Sequence, residues 1–284
     1  MNDDRLFARI APLFNIGLLS EARIVVAGCG SGGGHVALQL VMAGIRKFSL
    51  FDRDILEPEN VIRHVCGRRY LGQLKVKALA DVLLDRNPAA EVDCYNVDLM
   101  ECVNLSDHLH KGCVVVLATD NEPSRYRLND LCVKASIPLV VGRVFTRGIG
   151  GEVFSYRPGE GGCLACLETV LERTKYRDGV REIDLLSEEE REKLYGLQVS
   201  EIKDSPGLNI DISFVACFHT RFVLDAIART LAERPSHLPP IEENYLVWGN
   251  RPIPPFSKHF EIQRIQLHPQ EGCLICGKSA ETPV

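Results

Sequence analysis

The chain has 284 residues, 45% of them apolar and 25% charged, an ordinary globular composition with length for one large domain or two small ones. A formal net charge of −5 gives the surface as a whole no electrostatic reason to bind nucleic acid, and local basic pairs such as Arg68 and Arg69 are accounted for by solvated faces. No apolar run approaches the roughly 20 residues of a membrane span, and the first residues lack the pattern of a signal peptide, so the reading is a cytoplasmic protein with no membrane partner.

Residues 23–28 form a compact apolar run ending in glycine, the pattern of a buried parallel strand. The segment Gly28-Cys-Gly-Ser-Gly-Gly-Gly34 follows, residues 35–43 read as a helix, and Gly44 is its stop. A second strand spans 47–52 and closes on the acid Asp52, completing a βαβ unit. Beyond a loop over 56–63, a helix is predicted over 75–84, ending before Asn87 and Pro88, with a strand over 91–97. Residues 113–119 are a further buried strand ending at Asp120 and Asn121; a helix over 125–135 and a strand over 139–142 complete the alternation. Elements of these lengths in this order predict an α/β fold: a Rossmann-like, doubly wound, mostly parallel sheet.

After Gly148 the character changes. Residues 151–156 alternate as an antiparallel strand, and a helix opens near Cys163. From about 167 to 206 the chain is charged and poor in apolar residues, a crossover facing solvent or a partner. Residues 210–231 read as a long apolar helix, and 245–248 and 259–265 as C-terminal antiparallel strands. The boundaries expected are therefore a nucleotide-binding part over 21–148 and a second part over 149–284.

A strand, then Gly28, Gly30 and Gly33 in Gly-x-Gly-x-x-Gly spacing, then a helix has a mechanical meaning. The glycines permit a tight turn and close backbone approach, and the helix N-terminus offers unpaired N–H groups and a positive dipole end to phosphate. Asp52 lies 19 residues past Gly33, where an acid can bond a ribose hydroxyl. This predicts a nucleotide but does not separate NAD from ATP. Downstream stand Asp54, Asn60, Arg63 and Lys75, a polar cluster that a dehydrogenase gives no reason for. Adenylation does: attack of a carboxylate on the α-phosphorus builds charge on phosphate oxygens, which fixed Arg and Lys donors stabilise, while a carboxylate on Mg²⁺ helps neutralise departing pyrophosphate. Asp120 ends a central strand, where ligands bind in open α/β sheets.

Taken in order, Gly28-x-Gly-x-x-Gly33, Asp52-x-Asp54, Asn60-x-x-Arg63, Gly72-x-x-Lys75, Asn87-Pro88 and Thr119-Asp120-Asn121 resemble the MoeB/ThiF-type adenylating enzymes, which activate ubiquitin-like and sulfur-carrier proteins. The resemblance runs over nearly the whole chain and implies a single adenylation domain over 1–284. It implies that Asp52 holds the ATP ribose, that Asn60, Arg63 and Lys75 contact the phosphates, and that Asp120 coordinates Mg²⁺. It further implies a homodimer in which an N-terminal arginine, Arg9 or Arg5, reaches the partner subunit's ATP. The family often carries Gln where this chain has His64, for which a satisfied structural histidine is the simplest role.

Eleven cysteines, an odd and scattered number, argue against a secreted disulfide framework. Cys163 and Cys166, with Cys273 and Cys276, have the spacing of a four-cysteine zinc site that would staple the C-terminal tail to the middle of the chain. A closed thiolate shell leaves no position for water, and the resemblance likewise implies structural zinc. Many relatives pass the activated partner to a cysteine in the crossover, but residues 167–206 contain none, and Ser205-Pro-Gly-Leu208 stands where a sulfur-handling relative places its cysteine. Cys217 is the candidate for a thioester, against the plainer reading of an inert core thiol in an apolar helix. Cys29 and Cys66 lie near the predicted nucleotide, and Cys94, Cys102, Cys113 and Cys132 read as core.

The expected activity is ATP-dependent adenylation of the C-terminal carboxylate of a small Gly-Gly-ended ubiquitin-like or sulfur-carrier protein, with pyrophosphate released and a downstream conjugating or sulfur-transfer protein as acceptor. The alternatives are the same chemistry on a small molecule, peptide or tRNA base, and a nucleotide-binding scaffold without turnover.

Overall fold

The computed structural model describes residues 5–13, 15–145, 148–173, 207–253 and 256–277. Most of the crossover (174–206, with Ser205) lies outside the described residues. A short helix α1 (Ile16–Ser20) precedes strand β1 (Arg23–Ala27), helix α2 (Ser31–Met42) and strand β2 (Lys47–Phe51). Helix α3 (Lys75–Arg86), strands β3 (Glu91–Tyr95) and β4 (Cys113–Leu117), helix α4 (Glu122–Ala135) and strand β5 (Leu139–Val144) follow. Strand β6 (Gly150–Tyr156), helix α5 (Leu164–Arg173), helix α6 (Asn209–Thr230) and strands β7 (Tyr245–Gly249) and β8 (Glu261–Ile265) complete the order.

All eight strands form one sheet in the order β3-β2-β1-β4-β5-β6-β7-β8. The first five pair in parallel and the last three antiparallel. This is the Rossmann-like sheet with antiparallel C-terminal strands that the alternation predicts. Parallel strands need helical crossovers, which cover both faces, so their sequences are apolar on both sides. Ile24 and Val26 of β1 therefore join a core with α2, α3 and α6, while Val25 and Ala27 join a second core with α4 and α5. Each fully buried Leu, Ile or Phe in these layers contributes about 1.5–3 kcal/mol against its exposed state.

Helix α2 starts at Ser31, four residues before the sequence-based boundary, because the glycine-rich turn itself continues into helical geometry after Gly30. Its first turn thus lies directly at the end of β1. Among the described residues no helix is long and apolar enough to cross a membrane.

Candidate active site

Strand order reverses between β2 and β4 on either side of β1, which opens a crevice at the carboxyl ends of the strands. A cavity of about 510 Å³ lies there, within the ordinary size of a ligand site. It runs across the sheet from Val97, Asp98 and Leu99 beyond β3, past Asp52 and Gly28, to Ala118, Thr119 and Asp120 after β4. It ends between Gly142 and Arg143 of β5 and the α6 residues Ile212, Val215, Ala216 and His219.

At the β3 end, Asp52 accepts from the Cys29 N–H at 2.7 Å through one oxygen and from the Asp54 N–H at 2.8 Å through the other. Burial pushes the Asp52 carboxyl above its ordinary value, against those two N–H groups and Lys75, which favour the charged form. Each oxygen keeps lone-pair capacity, so the carboxylate can accept two neighbouring hydroxyls. Lys75 pairs with Asp54 at 2.8 Å and lines the cavity beside Asn60 and Arg63. The Asn60 Oδ1 accepts from the Glu57 N–H at 3.1 Å, which fixes the amide and leaves its NH₂ as the group available to a ligand. His64 is buried, with Nε2 on the Cys29 carbonyl at 2.7 Å and Nδ1 accepting from the Cys66 N–H at 3.0 Å. Burial holds it below its ordinary pKa, so it is a neutral structural histidine that braces the glycine turn.

In the middle, Asp120 is exposed to the cavity and makes no hydrogen bond or ion pair among the described residues. A carboxylate so placed fits a hard cation with oxygen ligands. Asn121 caps α4 by accepting from the Ser124 N–H at 2.9 Å. Arg125, which sequence reasoning missed, holds the Thr119 carbonyl with two donors, its Nε at 3.0 Å, and so fixes the backbone that carries Asp120. Burial and the neighbouring Arg143 bring its pKa down to about 10.

At the β5 end, Arg143 reaches Glu152 of β6 at 2.9 Å and Glu168 of α5 at 2.6 Å, and the Tyr245 hydroxyl donates to Glu152 at 2.7 Å. Burial alone would lower the Arg143 pKa, but the two carboxylates more than offset this and raise it. His219 is 2% exposed and donates from Nε2 to the Val140 carbonyl at 2.9 Å. Neither residue carries a sequence signal; both enter the site through contacts distant in the chain.

Within the second core and against it, the Sγ atoms of Cys163, Cys166, Cys273 and Cys276 all lie within 4.8 Å of one another. The pairs Cys163–Cys273 and Cys166–Cys276 stand at 3.8 and 3.4 Å. A tetrahedral zinc with bonds of about 2.3 Å separates its sulfurs by about 3.8 Å, so the donor set fits zinc. Burial raises the Cys273 thiol, but the N–H groups of Cys276 and Ile275 outweigh it and bring the pKa to about 7. Burial instead raises the Cys163 and Cys276 thiols, so a bound metal would be what holds all four as thiolates.

Several sequence-predicted residues sit elsewhere. Gly33 does not line the cavity: a β-carbon there would stand 1.9 Å from the Gly28 carbonyl, so its glycine is required for α2 to approach the turn. Arg5 and Arg9 do not line the cavity of their own chain. Cys29 and Cys66 are buried, and burial raises both thiols, Cys66 to about 12. Cys102, Cys113 and Cys132 are core, whereas Cys94 is half-buried. The core reading of Cys217 is corrected: it is exposed, with the Gln39 amide 3.6 Å from its sulfur. At 100° per residue, Ile212, Val215, Ala216 and His219 face inward and Phe214, Cys217 and Arg221 form the outward stripe. Cys217 does not line the cavity.

The sequence profile of the ThiF family matches residues 9–230. A 150-residue stretch is 35% identical to "Adenylyltransferase and sulfurtransferase MOCS3-1" of Zea mays, covering 52% of this chain and 31% of that protein. A 200-residue stretch is 27% identical to "Ubiquitin-like modifier-activating enzyme 5" of Caenorhabditis elegans, covering 63% of this chain and 48% of that protein. The chain thus spans less than half the length of either relative. The structure of E. coli MccB with ATP superposes with a TM-score of 0.66 at 20% identity, over 92% of this chain and 68% of that one, a likeness of fold.

Proposed function

Because the chain belongs to the ThiF family, we propose that it uses ATP to adenylate the C-terminal carboxylate of a small ubiquitin-like or sulfur-carrier protein ending Gly-Gly. The observation that carries this reading is one cavity in which the α2 N-terminus, the Asn60, Arg63 and Lys75 donors and the Asp120 carboxylate converge. The names of the relatives, an adenylyltransferase and a ubiquitin-like modifier-activating enzyme, support the same chemistry.

In this account the nucleoside lies toward β3, with Asp52 accepting the ribose hydroxyls. The phosphates lie over the glycine turn, where helix N–H groups and the dipole of α2 favour anions. The incoming carboxylate oxygen bonds to the α-phosphorus as the bond to the bridging oxygen breaks, and pyrophosphate carries away the electron pair. Asn60, Arg63 and Lys75 stabilise the charge that develops on the phosphate oxygens. Asp120 would hold Mg²⁺, which supplies charge neutralisation at the phosphates. Arg125 keeps Asp120 in place through the Thr119 carbonyl. The four cysteines would hold a structural zinc, and the whole chain acts as one adenylation unit, its nucleotide-binding part over 21–148 and its zinc-stapled part over 149–284. Arg9 or Arg5 would complete the site of a second subunit in a homodimer. No cysteine occurs between 167 and 206, so the acyl-adenylate passes to a nucleophile on another protein, with Cys217 the alternative within this chain.

The test is ATP–pyrophosphate exchange with small Gly-Gly-ended proteins from the same genome. Exchange that requires one such protein is expected. ATP binding without exchange for any of them overturns the ubiquitin-like reading and moves the substrate to a small molecule, peptide or RNA.

A further inference from the structure

The two ends of the cavity differ. If ATP lies from β3 to β1, the carboxylate must meet the α-phosphorus from the opposite side, where β5 and α6 form the walls. That end is apolar along Val144, Ile212, Val215 and Ala216, with His219 and Arg143 as its polar side chains. Both nitrogens of Arg143 that carry its ion pairs are turned to Glu152 and Glu168. His219 is different. Its Nε2–H is committed to the Val140 carbonyl, which fixes the tautomer and makes Nδ1 an acceptor. Nδ1 has no partner among the described residues. It lies against Gly142, whose β-carbon, were there one, would stand 2.3 Å from it, and Gly142 lines the cavity as well. The absent side chain is what lets the imidazole lie across the strand at the cavity wall.

We propose that His219 Nδ1 accepts the hydrogen bond of the last amide N–H of the incoming tail, so that the site selects a carboxylate at the end of a peptide bond over a simple acid. This rests on the function proposed above and adds to it a specificity-determining residue. An acceptor that the bound tail closes off from water without giving it a donor is disfavoured, so a substrate lacking that N–H is discriminated against, and not merely bound without help. Burial holds the imidazole pKa to about 4, so it stays an acceptor at neutral pH.

The experiment uses the Gly-Gly-ended protein that supports exchange and a semisynthetic copy whose last residue is glycolic acid, which replaces the final amide N–H by an ester oxygen. Both are measured on the full chain, on His219→Phe, and on Gly142→Ala, which keeps the imidazole but displaces it. The ester is expected to raise the tail's KM about five- to ten-fold with the parent chain, the worth of one hydrogen bond. With both variants amide and ester should bind alike, and the KM for ATP should stay unchanged in all three proteins, which a merely structural histidine would not bring about. An ester penalty equal in parent and variants, with exchange intact, overturns the role of His219 alone. Exchange absent with every Gly-Gly protein overturns the function and this inference together.

Discussion

The two ends of the cavity are built in opposite ways. Toward β3, the residues come from one short stretch of chain, Gly28 to Lys75, and each is set by its neighbours: Asp52 by the N–H groups of Cys29 and Asp54, Lys75 by Asp54. Toward β5, the wall is assembled from Gly142, Arg143 and the distant His219, and held by Glu152, Glu168 and Tyr245 on three further elements. A local βαβ unit can supply the first end alone; the second exists only when the antiparallel half is in place. The β3 end, where the nucleotide is proposed to lie, should therefore tolerate disturbance of the C-terminal half, and the β5 end should not.

Removing the zinc proposed at the four cysteines breaks this comparison most strongly. Glu168 sits two residues after Cys166 on α5, so loosening the four-cysteine site withdraws an anchor of Arg143. Stability should fall by about 5 kcal/mol or more, as expected for loss of a structural metal. Differential scanning calorimetry with and without chelator checks this, while ATP affinity at a temperature where the chain stays folded should change by no more than about threefold, under 1 kcal/mol. A parallel collapse of ATP affinity would show that the two ends are not independent.

Next is Arg143→Met, which takes from the buried Glu152 and Glu168 the guanidinium they share. A loss of about 3–5 kcal/mol is expected in urea unfolding, with Glu152→Gln combined in the same chain recovering part of it. Asp120→Ala acts where the two ends meet. It should lower exchange by about 10²- to 10³-fold while leaving the folded state unaffected, as judged by exchange rate against thermal midpoint.

The smallest of these effects is a pH dependence at the β5 end. His219 titrates near 4 in the fold and near 6.5 when exposed. Its depressed value means the unfolded chain takes up a proton first as pH falls. Stability is then full above about pH 6.5 and is lost on descending toward 4, by about 2 kcal/mol between pH 6.5 and 5. His64, also lowered by burial, adds in the same direction. Urea unfolding at several pH values should show a steeper acid loss in the parent than in His219→Gln; equal slopes would remove His219 from the account.

The same contrast explains what the sequence made legible. The strand–glycine–helix run and the acid of Asp52 are short-range patterns, and they predict β1, α2, β2 and the β3 end of the cavity within a few residues. The two Cys-x-x-Cys pairs are long-range, yet readable because two such pairs together match a tetrahedral four-thiolate site, and the four sulfurs do cluster. Arg125, Arg143 and His219 were not readable. An arginine in a helix or strand signals solvent on average, and only the tertiary fold turns these toward a carbonyl or a carboxylate. His219 depends on Gly142, some 77 residues earlier, lacking a side chain. Cys217 was misplaced because α6 is apolar through most of its length, so its composition conceals which stripe faces water.

The central claim is that a tail carboxylate meets the α-phosphorus of ATP between Asp120 and the β5 wall. Intact-mass spectrometry of the Gly-Gly-ended protein, after incubation with this chain, ATP and Mg²⁺ and a rapid acid quench, tests it most directly. The account predicts a species heavier by one adenylyl group, absent with Asp120→Ala and absent when the final glycine is deleted. An adenylyl group on a protein without that glycine, or an unmodified tail in the presence of ongoing exchange, would contradict it.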